Sequence, residues 1–575
     1  MTLRIARLIV TVASAMLARV SPCVSVEQWD VHEIEFQAKQ SYKNPFRDVV
    51  LTAEFVHPSS GTKLTVPGFH DGDGADGQNG NVWKIRFMPT LVGTWNWTSS
   101  STPHDEGLAG KSGSLTISPP GPGNHGPISK AGPPYLHLPH ADGHHTFLIG
   151  TWSIPMHFPE PERKRFYDCF QENGMTRLRM WMGGQKPDGL EDRLARFFRG
   201  DYWQYDLSLF RKVDETFREC RVRGILVDLI LFVNDMEKEM SQEQQEQYLR
   251  YIAARYGGFR SLMVCVCNQT DWHFGGHRGS IEQCEKSVQW GNWAGSYFRR
   301  VNPFPTVLTT HDPGEEGPES PRTWYMSALD RWPYGDWTDF MQRQMQSTAL
   351  SAAMSLADKE PRAEALNERG LARVNQLILS LRARYQKPVE VNEPSFEYGD
   401  GIEKQLSWRA LNRTGVRKAH WVITASGSFG TTCVVGCGEF MSGWDVDKLI
   451  QRGTMAQLGI IARTMRKLPF YEMTPSNDLV SPLYRTIEGE NWRTTFAIGK
   501  AGEAYLVYLL NGGSGTIQLS PGAYDATRLN PRDGRTENLG GVSGGAVEFV
   551  LPQQLPTVHN FADDSDWVLI YRKGK

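Results

Sequence analysis

The chain has 575 residues, with 62 basic against 64 acidic side chains and an aromatic complement of 18 Trp, 19 Tyr and 26 Phe. That length exceeds what one hydrophobic core supports and suggests about three domains. The near-cancelling charge provides no field for a polyanion, so nucleic acid is not an expected partner.

In chain order, Arg4 and Arg7 precede an apolar run from Leu8 to about Ala18, and a small-residue stretch ends at Ser25. Charged, apolar and cleavable regions in that order read as a signal peptide over residues 1–25, which predicts a secreted or periplasmic protein. The apolar run is short for a membrane span, so no integral membrane segment is expected after cleavage. Cys23 falls in the removed segment. The other seven cysteines make no zinc pattern and read mostly as small buried residues.

Residues 26–119 alternate like short strands (VEQWDVHEIEFQA, DVVLTAEFVHP, KLTVPGF, NVWKIRFMP, GTWNWTSS, SGSLTISP), which predicts an N-terminal Ig-like β-sandwich. The loop HDGDGADGQNGN lacks the acidic spacing of an EF-hand and reads as a long flexible hairpin tip. Residues 120–127 form a Pro/Gly linker. From 128 to 473, short apolar strands alternate with helices, beginning with HTFLIGTW and continuing through MTRLRMWM, ILVDLILF, SLMVCVC, TVLTTHD, TWYMSALD and PVEVNEP to SFGTTC. A last long helix is expected from IEKQLSWRALNRTGVRKAHWVITA. Seven or eight strand–helix units predict a (β/α)8 TIM barrel; a doubly wound sheet is disfavoured because no glycine-rich phosphate loop follows the first strand. Residues 474–575 return to strands and predict a C-terminal β-sandwich.

Barrel chemistry sits at the C-terminal ends of strands. Those ends carry Trp152, Arg179 and Trp181, Asp235, the run Asn268, Gln269, Thr270 and Asp271, then His311 and Asp312, and finally Glu393. Glycosidic cleavage needs two carboxylates across a pocket, one donating a proton and one attacking the anomeric carbon or activating water. Glu393, directly after the apolar run Pro388–Val391 and before Pro394, is the leading candidate; Glu390 and Glu397 are weaker. Trp152, Trp181, Tyr202, Trp203, Trp272 and Trp324 are candidates for stacking on sugar rings, with core packing as the alternative for about half. Arg179 suits an acidic sugar or, equally, an internal ion pair. His311 and Asp312 suit hydroxyl binding or a structural pair. There is no nucleophile elbow and no HExxH motif, and the chemistry requires neither a metal nor an organic cofactor.

At these residues the chain resembles clan A glycoside hydrolases, and among them the apiosidase-like barrels. The resemblance runs from VEQWDVHEIEF, NPFRDVVLTAEF, TVPGF and VWKIRFMPTLVGTWNW through GNHGPI and NEP to DWVLIYR. It implies an N-terminal sandwich of unknown function and a C-terminal sandwich of the type labelled collagen-binding. It also implies a retaining hydrolase acting on a polysaccharide or oligosaccharide, with Asn268 as a sugar-hydroxyl ligand and the acid at the position of Gln269. An amide has no titratable proton. Other apiosidase-like barrels carry an aspartate near this strand end, so the resemblance implies an acid/base at Asp271, with Asp235 next in line and Gln269 holding a hydroxyl. The alternative is a carbohydrate-binding protein that has lost its acid.

Overall fold

The computed structural model describes residues 25–130, 136–182, 197–199, 201–233, 236–270, 280–313, 332–344, 368–397, 410–411, 413–433, 446–451, 453–487, 490–553 and 565–574. The N-terminal strands are β1 (Ser25–Glu27), β2 (His32–Gln37), β3 (Val50–His57), β4 (Thr62–His70), β5 (Val82–Phe87), β6 (Gly93–Thr102) and β7 (Ser112–Ser118), in the spatial order β1-β7-β6-β3-β4-β5-β2. The first expected strand is split in two, with Trp29 between the halves at φ 63°, a turn conformation. β4 pairs with β3 through Thr62–Pro67 and with β5 through Gly68–His70, so one strand serves both parts of the sheet. Between the layers Phe55 stacks on Phe87 at 3.9 Å, and Trp95 is fully buried.

The loop between β4 and β5 is not a free hairpin tip. Asp71 is 2% exposed and pairs with Arg255 at 2.9 Å and Lys84 at 3.0 Å. Gln78 accepts from the Leu207 backbone N–H at 2.9 Å and donates to the Tyr205 carbonyl at 2.7 Å. The expectation of a flexible tip fails because the carboxylate and amide find buried partners on two helices that are remote in sequence. Deeper in the same interface, Arg86 of β5 and Arg255 each fork onto the single carboxylate of Asp214, at 2.7–3.0 Å. Burial pushes that carboxyl up, but the guanidiniums of Arg255 and Arg86 more than reverse this and hold it below the usual carboxylate range.

The central strands are β8 (Ile149–Trp152), β9 (Arg177–Trp181), β12 (Leu226–Phe232), β13 (Leu262–Cys267), β14 (Val307–Thr309), β15 (His311–Pro313), β16 (Met341–Gln344), β17 (Val389–Glu397) and β19 (Phe429–Cys433). All pair in parallel, in the order β14-β13-β12-β9-β8-β19-β17-β16-β15. Only Thr310 separates β14 from β15, so one continuous stretch supplies both ends of the sheet, which forms a near-barrel. A small hairpin, β10 (Phe198–Arg199) and β11 (Asp201–Tyr205), follows β9, and β18 (Ala410–Leu411) pairs with β17. Helices Glu160–Glu172, Leu207–Val222, Gln242–Tyr256, Ile281–Val301, Glu368–Tyr385 and Arg413–Ala425 lie between the strands. Ser241 and Ser280 start two of them with reciprocal capping boxes, which satisfy donors that the first helical turn leaves open.

Two expectations are corrected here. β16 lies at Met341–Gln344 within the run TDFMQRQM; its polar side chains hid it, and TWYMSALD falls outside the described residues. The last long helix is described over Arg413–Ala425, Ala410–Leu411 are extended beside β17, and residues 402–409 of the expected helix fall outside the described residues.

From residue 474 the chain forms β20 (Thr474–Pro475), β21 (Val480–Ser481), β22 (Tyr484–Ile487), β23 (Glu490–Arg493), β24 (Thr495–Lys500), β25 (Ala504–Leu509), β26 (Gly513–Leu529), β27 (Thr536–Leu551) and β28 (Trp567–Lys573). The main C-terminal sheet runs β20-β24-β25-β28-β26-β21, with β27 on β26, while among the described residues β22 and β23 form a separate two-stranded sheet. It docks on the helix Arg413–Ala425 through the buried pair Arg417–Asp566 at 2.9 Å and the stack of Trp421 on Tyr508. Among the described residues no helix is long and apolar enough to cross a membrane.

Asp214→Ala leaves two buried guanidiniums facing each other without their shared carboxylate. A loss of about 3–5 kcal/mol is expected, measured as a fall in the thermal midpoint; an unchanged midpoint contradicts this account. Burial also lowers the imidazole of His70 to about 4 and that of His420 to about 3. Unfolded histidines protonate near about 6.5. Stability from these neutral folded imidazoles is therefore fully present above that pH and is lost as pH falls toward 4 and 3. A thermal midpoint that declines steadily from pH 6.5 to 4 is the expected result.

Candidate active site

The interior of the parallel sheet is charged. Arg177 and Arg179 of β9, Asp228 of β12 and Glu390 of β17 are all fully buried. Asp228 Oδ2 accepts from Arg177 at 2.5 Å, Arg179 at 3.1 Å and Gln342 of β16 at 2.9 Å. Gln342 Nε2 also donates to Glu390 Oε2 at 2.7 Å, and Thr431 Oγ1 of β19 donates to Glu390 Oε1 at 2.7 Å. Arg177 pairs with Glu390 as well. Two cations and two carboxylates cancel, so the network carries no net charge into the interior. Burial pushes the Asp228 carboxyl up, yet Arg177 and Arg179 keep it below the ordinary range. The thiol of Cys265, on the neighbouring β13, is pushed up to about 12 by burial, so it stays protonated.

Above this layer Arg179 reaches the strand ends. Its Nη2 donates to Asn268 Oδ1 at 3.2 Å, and His311 Nδ1 lies 2.6 Å from the same oxygen. A guanidinium only donates, so the Asn268 oxygen must face it and the amide cannot be flipped. The same oxygen then requires His311 to donate through Nδ1–H, which fixes its tautomer. Burial, then the charges of Arg179 and Arg343, hold the His311 pKa well below the usual imidazole value, so the ring is neutral. His311 Nε2 is left as a buried acceptor without a partner among the described residues.

Gln269 follows with φ 53°, a left-handed conformation that is costly for a side-chain-bearing residue. Its Nε2 donates to Gln344 Oε1 at 3.0 Å, bridging the end of β13 to the end of β16. On β17, Asn392 is fully buried and its amide has no partner among the described residues. Glu393 is next in the strand, where the register against β19 shifts between Asn392 and Phe396. Trp152 and Trp181, at the ends of β8 and β9, meet edge to face at 4.7 Å and are 5% and 9% exposed.

The structure therefore gathers Arg179, Asn268, Gln269 and His311 at one end of the sheet. Asp312 is not part of that cluster. Consecutive strand residues leave on opposite faces, and Asp312 pairs instead with Arg343 at 2.7 Å, fully buried. Arg179 is committed to Asp228 and Asn268. Asp235, Asp271, Trp272 and Trp324 lie outside the described residues, and of Glu393 only the backbone is described. Arg177, Asp228, Gln342 and Gln344 were not singled out from sequence, whereas Asn392 stands beside Glu393 at the end of its strand as the sequence suggests. The lone charge in ILVDLILF and the every-second-residue spacing of Arg177 and Arg179 are the signals that mark them as inward-facing. Among the described residues no group of three or more His, Cys, Asp or Glu side chains is arranged to hold a metal.

Residues 25–102 match a domain of unknown function (DUF5060), and residues 135–493 match the family described as apiosidase-like, catalytic domain. No curated protein matches the chain. A Bacteroides vulgatus structure assigned provisionally as a glycoside hydrolase aligns with a TM-score of 0.67 at 18% identity, covering 96% of this chain and 100% of that one. A family 5 glycoside hydrolase from the same organism aligns with a TM-score of 0.55 at 16% identity, covering 79% and 95%. At such identities the likeness concerns the fold, while the family match extends over more than half of the chain and contains every strand of the parallel sheet. The chain belongs to the apiosidase-like family and is a glycoside hydrolase.

Proposed function

We propose that the protein is an exported hydrolase in which a (β/α)8 TIM barrel, flanked by two β-sandwiches, cleaves a glycosidic bond in a complex polysaccharide by a retaining two-carboxylate mechanism. The observation that carries this reading is the clamp on Asn268. Arg179 and His311 both hold its oxygen, so the orientation of the side chain that the family resemblance makes a sugar-hydroxyl ligand is fixed before substrate arrives. Glu393, one residue beyond the buried Asn392 on β17, is the nucleophile that attacks the anomeric carbon. Asp271, three residues beyond Asn268, is the acid/base that first protonates the leaving oxygen and then activates water; Asp235 is the next candidate. A carboxyl separation of about 5–5.5 Å is what this mechanism requires. Gln269, engaged with Gln344, orients a hydroxyl and takes no part in proton transfer.

A second reading is favoured by Gln269 itself: an amide where the family acid is expected suits a barrel that binds sugars without cleaving them. Sugar release from pectic, algal and microbial glycans separates the two. Glu393→Gln is expected to lower the rate by on the order of 10⁴–10⁶, and Asp271→Ala by about 10²–10⁴ with partial rescue by azide. Binding without release by the wild type selects the second reading. For export, the protein made with its own N-terminus in a bacterium is expected outside the cytoplasm with its first residue near Val26. Retention of Met1 in a cytoplasmic product overturns the signal-peptide assignment.

A further inference from the structure

A cavity of about 230 Å³ lies away from the strand-end cluster, between the N-terminal strands and the helix Gln242–Tyr256. Its volume is below the roughly 300–1,000 Å³ of pockets that enclose drug-sized ligands, which suits a single ring. Aromatic surface comes from Phe46, Tyr251 and the half-buried Trp203, and Arg47 lies over the Trp203 ring at 4.5 Å. Four ionic side chains also line it: Arg47 and Arg250 are matched by Glu243 and Glu246, with Arg250 3.6 Å from Glu246, so the cavity presents charge-balanced donors and acceptors. His70, only 2% exposed, also lines it; Nε2 is held by the Gly80 carbonyl at 3.2 Å, and Nδ1 has no partner among the described residues.

Its position follows from the topology. Trp203 sits on the hairpin that follows β9, and Glu243 and Glu246 occupy the first turns of the helix that follows β12. Both segments leave the C-terminal ends of parallel strands, the same end at which Asn268 and Gln269 stand. We propose that this cavity is an accessory subsite for one neutral sugar unit of the glycan, formed jointly by the N-terminal domain and the catalytic domain. The proposal rests on the reading of the protein as acting on glycans. Sugar C–H faces pack on indole and phenyl surface, and hydroxyls satisfy carboxylates, guanidiniums and the imidazole together. With Arg47 and Arg250 balanced by Glu243 and Glu246, the cavity offers no net positive charge to hold an anionic sugar.

The test is affinity electrophoresis of the full chain through gels containing xyloglucan, galactomannan, arabinogalactan or polygalacturonate, beside sugar-release assays on the same polymers. At least one neutral polymer is expected to retard the wild type. In that gel Trp203→Ala weakens binding roughly three- to tenfold. Glu246→Gln, which preserves side-chain size, weakens it in the same gel and guards against a folding defect in the first variant. Wild-type mobility of both variants in every retarding gel, retardation by polygalacturonate alone, or no retardation of the wild type overturns the subsite. Sugar release with unaltered binding by both variants sinks the subsite and leaves the hydrolase standing. Weakened binding by the variants without release by the wild type supports the subsite while the hydrolytic reading fails.

Discussion

Two guanidinium groups stand one above the other inside the parallel sheet, at Arg177 and Arg179, both fully buried. Desolvating a charge costs several kcal/mol even after relaxation, and only well-placed opposite charge offsets it. Asp228 and Glu390 supply that charge from β12 and β17, and Gln342 and Thr431 donate further hydrogen bonds to these carboxylates. With β9 itself the network draws on five of the central strands, so it holds only when those strands keep one register. An apolar interior fills space but tolerates small slips; a hydrogen-bonded ionic interior does not. The orientation of Arg179 then sets Asn268, and Asn268 sets the proton on His311. The strand-end cluster is thus the top of a chain of interactions that begins two layers below it.

The same physics joins the domains. Asp214 is shared by one arginine from the N-terminal strands and one from the helix Gln242–Tyr256, and Asp566 holds Arg417 against the C-terminal sheet. Each pair is buried, so separating the parts exposes charges that have lost their partners as well as apolar surface. This anchoring keeps Trp203 and the early turns of the helix Gln242–Tyr256 at a defined distance from Phe46 and Arg47. A cavity built from two domains keeps its shape only if their junction is stiff.

Much of the architecture is visible in one dimension. The alternation in VWKIRF, the apolar runs LVDLILF and LMVCVC, and the return to strands after residue 474 each state a local preference that the fold respects. β16 is the instructive exception. Met341–Gln344 is polar because Gln342 meets Asp228 and Glu390 on the inner face and Arg343 meets Asp312 on the other, and polar residues in a strand do not look like strand when the interior is assumed apolar. The loop at Asp71–Gln78 misled for a related reason. Glycine and aspartate density signals an exposed turn, yet its carboxylate and amide are bound by Arg255, Tyr205 and Leu207, all more than a hundred residues away in the chain.

The sequence by itself determined the order and type of most elements, the family, and the strand ends at which polar side chains gather, because periodicity and local motifs are written in neighbouring residues. Only the tertiary structure decided which of those side chains meet. Asn268 and His311 share a hydrogen bond across 43 positions, whereas Asp312, adjacent to His311, leaves the strand on the other face and pairs with Arg343. Strand alternation sends neighbours apart, and parallel pairing brings distant residues together. The partners of a polar group are therefore a property of register and burial in three dimensions.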